Sequence, residues 1–198
     1  VSVAPLRYEA RDSSEMVSQV LFGEKLIILE ELEKWTKVQL AFDGYEGWLD
    51  PKQIVEISEE EYNKDSIEKF AINPYNHAME NGLPMTLTIG AEVRTLNESK
   101  IKIGPKCFEY FGVYTSGKKS KDQLVEIAKA YLNVPYLWGG KSSFGIDCSG
   151  LTQQVYKIGG YKIPRDAYQQ AEMGEVLSFV EEAEPGDLAF FDNAEGLI

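Results

Sequence analysis

The sequence predicts an α+β chain of three units, two small β-barrels followed by a mixed α+β unit. Three observations predict it. Short apolar runs punctuated by turn residues extend to about Ile57, a second set broken by Asn-Pro, Asn-Gly, Leu-Pro and Ile-Gly follows, and helical spacing begins abruptly at Lys121. At 198 residues the chain has room for more than one compact unit. Hydrophobic residues make up 43% and charged residues 26%, the balance of a folded chain rather than a disordered one.

In the first unit, residues 1–57, the strand-like runs are VSVAPL, VSQVLFGEKLIIL, WTKVQL and GYEGWL. Their β-branched and aromatic residues suit a pleated surface, and Gly23, Asp43-Gly44 and Gly47 supply turn chemistry between them. Roughly five short strands in so short a segment predict a small barrel, with Trp35 and Trp48 in its core and rim. The second unit, residues 58–117, opens with the charged run SEEEYNKDSIEK. There TLTIGAEVRTL and IKIGPKCFEYFGVY read as paired strands of a second, degenerate barrel. A linker near Ser116–Ser120 leads into the third unit, residues 118–198. In DQLVEIAKAYL the residues Leu124, Val125, Ile127, Ala128, Tyr131 and Leu132 form a helical stripe, with Asp122 near the positive end of the dipole. This helix ends before Asn133-Val134-Pro135, because proline disfavours helical geometry in the residue before it. A second helix over LTQQVYKI is closed by Gly159-Gly160.

The formal charge of -12, from 32 acidic and 20 basic residues, repels a phosphate backbone or an anionic lipid surface and so excludes nucleic acid as a partner. Acidic runs near Glu30, Glu56 and Glu181 read as solvated faces and turns. No run approaches the ~20 apolar residues that span a bilayer, so no transmembrane segment is expected. The opening VSVAPLRYEARDSSE has no signal-peptide pattern. Cys107 and Cys148 do not make a disulfide framework.

Chemistry concentrates in PYLWGGKSSFGIDCSGLTQQVYKIGG. A cysteine at a helix start faces unsatisfied backbone N–H groups and the positive dipole end, which favour thiolate over thiol. The same N–H groups can donate to an oxyanion formed when Cys148 attacks a carbonyl. A cysteine before a helix is also commonly a small buried residue, and spacing alone leaves both readings open.

Motif order separates them. Pro135–Gly140 (P-Y-x-W-G-G), Phe144–Gly150 (F-G-x-D-C-S-G), Pro164-Arg165 with Gln170 following, and Pro185–Phe191 (P-G-D-L-x-F-F) resemble, in order and spacing, the NlpC-type bacterial cell-wall cysteine peptidases. The pieces Gly23-Glu24-Lys25-Leu26, Trp35-Thr36-Lys37-Val38 and Gly44–Leu49 resemble bacterial SH3-like domains. The resemblance implies two SH3-like barrels and a papain-like α+β peptidase domain, truncated in this chain. It implies Cys148 as nucleophile, Tyr136 near the oxyanion site and Trp138 as an aromatic cleft wall. Asp147 and Ser149 are then the pair flanking the nucleophile that lines the cleft and can hold a free amine, the carboxylate through a charge-assisted hydrogen bond. Arg165 and Asp187 read as structural, one pairing with a carboxylate and the other satisfying a turn. Two barrels before such a unit resemble the subgroup that cleaves γ-D-glutamyl-diamino acid bonds in muropeptides with free N-terminal L-alanine. There the first barrel walls the cleft, and Tyr45 and Glu15 are the candidates for its contribution. The expected partner is a peptidoglycan stem peptide or muropeptide, with no metal and no cofactor. The bacterial cell envelope or periplasm is the expected location, with recycling inside the cell as the alternative.

The chain departs from this pattern in one respect. Such a peptidase needs a base, normally a histidine, and the family's histidine strand is due shortly after PGDLAFF, where the sequence ends at Ile198. His77, in NPYNHAMENG, is far from that position and reads as a surface or turn residue. The expectation is therefore a portion of a longer enzyme, continuing for about 60–110 residues and inactive without them. A catalytically dead module that holds cell-wall peptide is the competing expectation. Recognition of proline-rich ligands has no supporting groove.

Overall fold

The computed structural model describes residues 1–64, 68–93, 97 and 99–192. Strands β1 (Val3–Arg7), β2 (Met16–Leu21), β3 (Leu26–Glu31), β4 (Thr36–Leu40) and β5 (Glu46–Leu49) form one antiparallel five-stranded sheet in the order β2-β1-β5-β4-β3. The alternation in Thr36-Lys37-Val38-Gln39-Leu40 is strict, with the first, third and fifth residues buried, as a half-buried strand requires. Ala4, Leu6, Val20, Val38, Leu40 and Leu49 make its core. No ladder joins β2 to β3 among the described residues. Ile27, Ile28 and Leu29 stay exposed on β3, one of the two edge strands, whereas Ser18–Leu21 of the other edge, β2, are buried.

A connector follows, containing α1 (Glu59–Asn63), which the sequence reading treated only as a charged run. The signal was present: Ser58 accepts from the Glu61 N–H at 3.2 Å, an N-cap spelled Ser-x-x-Glu. The second unit comprises β6 (Lys69–Ala71), β7 (Asn76–Glu80), β8 (Leu83–Leu87), β9 (Lys100–Ile103), β10 (Lys106–Phe111) and β11 (Tyr114–Ser116). They pair as a four-stranded sheet, β8-β7-β10-β9, and a two-stranded one, β11-β6. The expected pairing of TLTIGAEVRTL with IKIGPKCFEYFGVY does not occur among the described residues. Asn81 and Gly82, both at positive φ (51° and 80°), close a two-residue turn that pairs β8 with β7, while β9 and β10 form their own hairpin. Residues 94–96 of that run lie outside the described residues.

The third unit begins with α2 (Lys121–Lys129), held by a complete capping box from Ser120 and Gln123. It stops earlier than the stripe suggested: Asn133 takes φ 67°, Leu132 is exposed, and the chain turns before Pro135. After the short strands β12 (Lys141–Ser142) and β13 (Gly145–Ile146) come α3 (Cys148–Ile158) and α4 (Ala167–Ala171). Gly159 caps α3, as expected. Phe70 and Ile89 of the second unit share a core with Tyr131, Ile146 and Ile158 of the third, so these two units are fused by apolar packing. No helix among the described residues is long and apolar enough to cross a membrane.

Candidate active site

Cys148 is the first residue of α3 and is exposed, whereas Ser149 and Gly150 behind it are buried. Backbone bonds build its surroundings. Leu137 N–H donates to the Ile146 carbonyl at 3.1 Å and Ile146 N–H to the Pro135 carbonyl at 3.1 Å, folding the Pro135–Gly140 segment against β13. The exposed rings of Tyr136 and Trp138 project from that segment. Asp147, the N-cap, joins segment to helix: Oδ1 accepts the Gly150 N–H at 2.7 Å and Oδ2 accepts the Gly139 N–H at 2.8 Å.

Arg165 completes the support. Its guanidinium donates to Asp147 Oδ2 at 2.7 Å, Ser149 Oγ at 2.8 Å and, across the unit boundary, Ser18 Oγ on β2 at 3.2 Å. All four residues are at least nine-tenths buried. Gln170 on α4 holds the approach to Arg165, donating to the Pro164 carbonyl at 2.8 Å and the Ser149 carbonyl at 3.0 Å. The sequence reading turned Asp147 and Ser149 toward a substrate amine. In the structure both side chains face Arg165 instead, because a carboxylate this deeply buried needs a cation and several donors to be tolerated.

Three contacts from the first unit border the same face. Glu15, exposed at the end of the loop between β1 and β2, accepts the Trp138 Nε1–H at 2.6 Å. Tyr45 Oη donates to Asp166 Oδ1 at 3.2 Å, while Asp43 in the same turn accepts from Gln153 of α3 at 2.8 Å. Burial pushes the Asp166 carboxyl above the usual carboxylate range against the opposing pull of the Tyr45 hydroxyl and Arg165. Tyr45 is raised too, by burial first and the Asp166 charge second. Partial desolvation raises the Tyr136 phenol, followed by the charges of Cys148 and Asp147, so the phenol keeps its proton and can donate.

The structure thus brings Glu15, Tyr45, Tyr136, Trp138, Asp147 and Ser149 around the start of α3, Asp147 and Ser149 from behind and the others on the surface. His77 is not among them; it lies exposed on β7, paired with Thr86 and Phe111. Cys107 and Cys148 are both free thiols. Asp187 satisfies a turn: Oδ2 accepts the Glu184 N–H at 2.8 Å. Arg165 pairs with a carboxylate, as read from sequence, but that its partner would be Asp147 and that Ser18, Asp166 and Gln170 would join the site was not legible. Ser18 carries no motif of its own, Gln170 stood in the motif that follows Pro164-Arg165 but without a role, and the only signal for Asp166 was its adjacency to that pair. A groove of about 1280 Å³ between the first two units, bordered by Leu26, Ile57, Met85 and Phe108, does not include Cys148.

Comparison with known proteins bears on both ends of the chain. The model of the NlpC/P60 family matches residues 133–197, the span that contains Tyr136, Cys148 and Arg165. The model of the bacterial dipeptidyl-peptidase SH3 domain matches residues 6–54 ahead of that NlpC/P60 segment. A γ-D-glutamyl-L-lysine dipeptidyl-peptidase of Bacillus subtilis (strain 168) is 31% identical over 90% of this chain and 65% of its own length. A protein of the same name from Bacillus cereus (strain ATCC 10987 / NRS 248) is 26% identical over 93% of this chain and 62% of its own length. The chain therefore spans just under two thirds of these relatives. The crystal structure of an NlpC/P60 family protein from Bacillus cereus ATCC 10987 superposes with a TM-score of 0.85 at 22% identity, covering 98% of this chain and 82% of the other. The overall arrangement is thus the NlpC/P60 fold with a strand-rich amino-terminal region.

Proposed function

We propose that the protein is a cysteine endopeptidase that hydrolyses the γ-D-glutamyl-diamino acid bond of peptidoglycan stem peptides or muropeptides bearing a free N-terminal L-alanine. One observation carries the reading: an exposed Cys148 opens α3 between a rigid Asp147–Arg165 support and a wall of Tyr136, Trp138 and Glu15. The names of the B. subtilis and B. cereus relatives support the bond type. In this reading the first two units are SH3-like barrels, and the first supplies one side of the cleft.

Cys148 Sγ attacks the γ-carbonyl carbon of the D-glutamyl residue, and the negative charge moves to the carbonyl oxygen. The Gly150 N–H is committed to Asp147, so donation to that oxygen falls to the Cys148 and Ser149 N–H groups of the same turn and to the Tyr136 phenol. Collapse forms a thioester and releases the amine of the diamino acid; water then cleaves the thioester to a carboxylate and the free thiol. The thiol proton passes to the departing amine through an imidazole, which this proposal places in the whole protein after the Pro185–Phe191 segment, since His77 belongs to a different sheet. Asp147 is closed by Arg165, so the free amine of the substrate is met by the carboxylates at the unit boundary, Glu15 beside Trp138 and Asp166 beside Tyr45. The proposed workplace is the bacterial envelope or periplasm, and fractionation of cells decides between that and internal recycling.

The test uses the whole protein with L-Ala-γ-D-Glu-diaminopimelate and its lysine counterpart, with and without Cys148→Ala. Release of the diamino acid by wild type and none by the variant is the expected result. Equal turnover by both forms removes Cys148 from the mechanism. Binding of the peptide by both forms with turnover by neither makes the protein a wall-peptide binding module.

A further inference from the structure

The turn between β2 and β3, Leu21–Lys25, touches every other unit. Phe22 leaves its own sheet and packs in the core of the second unit, its ring edge-on to Phe108 at 5.1 Å between centroids. Its carbonyl accepts the Glu92 N–H at 2.8 Å. Gly23 sits at φ 80°, where a Cβ would strike the Glu92 carbonyl oxygen, so only glycine lets the two backbones approach. The Lys25 ammonium donates to the Glu61 and Tyr62 carbonyls of α1.

Glu24 reaches the third unit. Its carboxylate accepts the Leu21 N–H at 2.7 Å and pairs with Lys141 at 2.9 Å and with Lys157. Lys157 also pairs with Glu92 at 2.8 Å. The four side chains balance in charge, and each is no more than 3% exposed. One carboxylate comes from each of the first two units and both ammonium groups come from the third, Lys141 on β12 and Lys157 in the last turn of α3. Burial alone would push the Glu24 carboxyl up, but the ammonium groups of Lys141 and Lys157 outweigh it and hold it well below the carboxylate range.

These contacts run along one strand. From Glu15 to Glu24 the β2 segment is fastened to the third unit at Trp138 by Glu15, at Arg165 by Ser18, at the Lys141 N–H by Gln19 at 2.9 Å, and at the two lysines by Glu24. The fastened points on the third unit are the cleft wall, the support of Cys148, and the far end of the helix that Cys148 begins.

We propose that Glu24 is a positioning residue: the Leu21–Lys25 turn is a key whose buried charge network fixes β2 on the third unit and thereby holds Glu15 in place over the cleft beside Cys148. An apolar seam tolerates sliding, whereas displacement of a buried ion pair strands a charge, so the network selects one register of the two surfaces. The consequence for substrate choice rests on the function proposed above.

The experiment uses the whole protein and three variants, Glu24→Gln, Lys141→Met and the double variant, and reads hydrogen exchange at the Lys141 amide together with relative kcat/KM for free and N-acetylated L-Ala-γ-D-Glu-diaminopimelate. Each single variant leaves an unbalanced buried charge and is expected to speed exchange of the backbone amide at position 141 roughly a hundredfold. Each is expected to lower the preference for the free amine by about tenfold, through KM rather than kcat. The double variant keeps the Lys157–Glu92 pair in a neutral pocket and is expected to regain most of both. Amides of β4 and β5 stay protected throughout, which separates a loosened seam from an unfolded sheet. Unchanged protection of that amide in the single variants, or a double variant worse than either, overturns the proposal. If a single variant fails to fold, the double decides, since a folded double with a protected seam requires charge balance and an unfolded one refutes it. If no form turns over either substrate, the function proposed above fails and exchange alone judges the lock.

Discussion

Replacing Arg165 by methionine isolates what supports the candidate nucleophile. The guanidinium is 2% exposed and bonded to Asp147 at 2.7 Å, Ser149 at 2.8 Å and Ser18 at 3.2 Å. Its loss strands the Asp147 carboxylate, and breaking a buried pair from one side costs about 3–5 kcal/mol. Two buried hydroxyls also lose their donor at about 1 kcal/mol each, partly offset by the apolar burial of methionine. Roughly 4 kcal/mol is the expected loss, enough to threaten a domain of ordinary stability. Arg165→Lys keeps the charge but cannot fork to three acceptors, and about 2 kcal/mol is expected. Arg165→Met with Asp147→Asn removes both charges and is expected to recover about half of the single-variant loss. Urea unfolding at constant slope measures all three. A single Arg165→Met variant within about 1 kcal/mol of wild type refutes the claim that Arg165 neutralises Asp147.

Gly150→Ala places a Cβ against the Gly140 carbonyl and Asp147 Oδ1, so it is expected to lose at least about 2 kcal/mol of stability and most turnover, read by urea midpoint and peptide release. Tyr45→Phe removes the hydroxyl that lowers Asp166, so the Asp166 carboxyl should titrate higher still in a carbon-detected NMR titration, with about 1 kcal/mol lost in stability. Glu24 gives a pH signature. Its carboxyl is lowered from 4.5 to about 2, so the stability it contributes is complete above the first value and is lost as pH falls toward the second. Thermal midpoints should therefore drop between pH 5 and pH 3 by more in wild type than in Glu24→Gln, and parallel curves would contradict this.

Much of the molecule was legible from local chemistry. The apolar stripe with Asp122 placed the start of α2, Gly159-Gly160 the end of α3, and the alternation in Thr36–Leu40 its strand, because stripes, caps and pleats are decided by residues within a turn or two of one another. The order of Pro135–Gly140, Phe144–Gly150 and Pro164-Arg165 singled out Cys148, Tyr136 and Trp138 as candidates, and the fold leaves all three exposed. Ser58 and Glu61 of α1 were readable and were missed, while the pairing of β8 with β7 turned on two positive-φ residues whose effect on distant strands no local pattern displays.

What only the tertiary structure decided is where the charges go. From sequence, Asp147 was a carboxylate free to meet an amine, Glu24 was only part of a barrel motif, and nothing set Glu92, Lys141 and Lys157 apart from other charged residues. In the fold Asp147 faces Arg165, and the other four close on one another at the junction of three units. A sequence states that a side chain is charged but not whether water can reach it. That depends on the packing of segments more than a hundred residues apart, and in the dry interior it makes a charge answer to its nearest partner rather than to solvent.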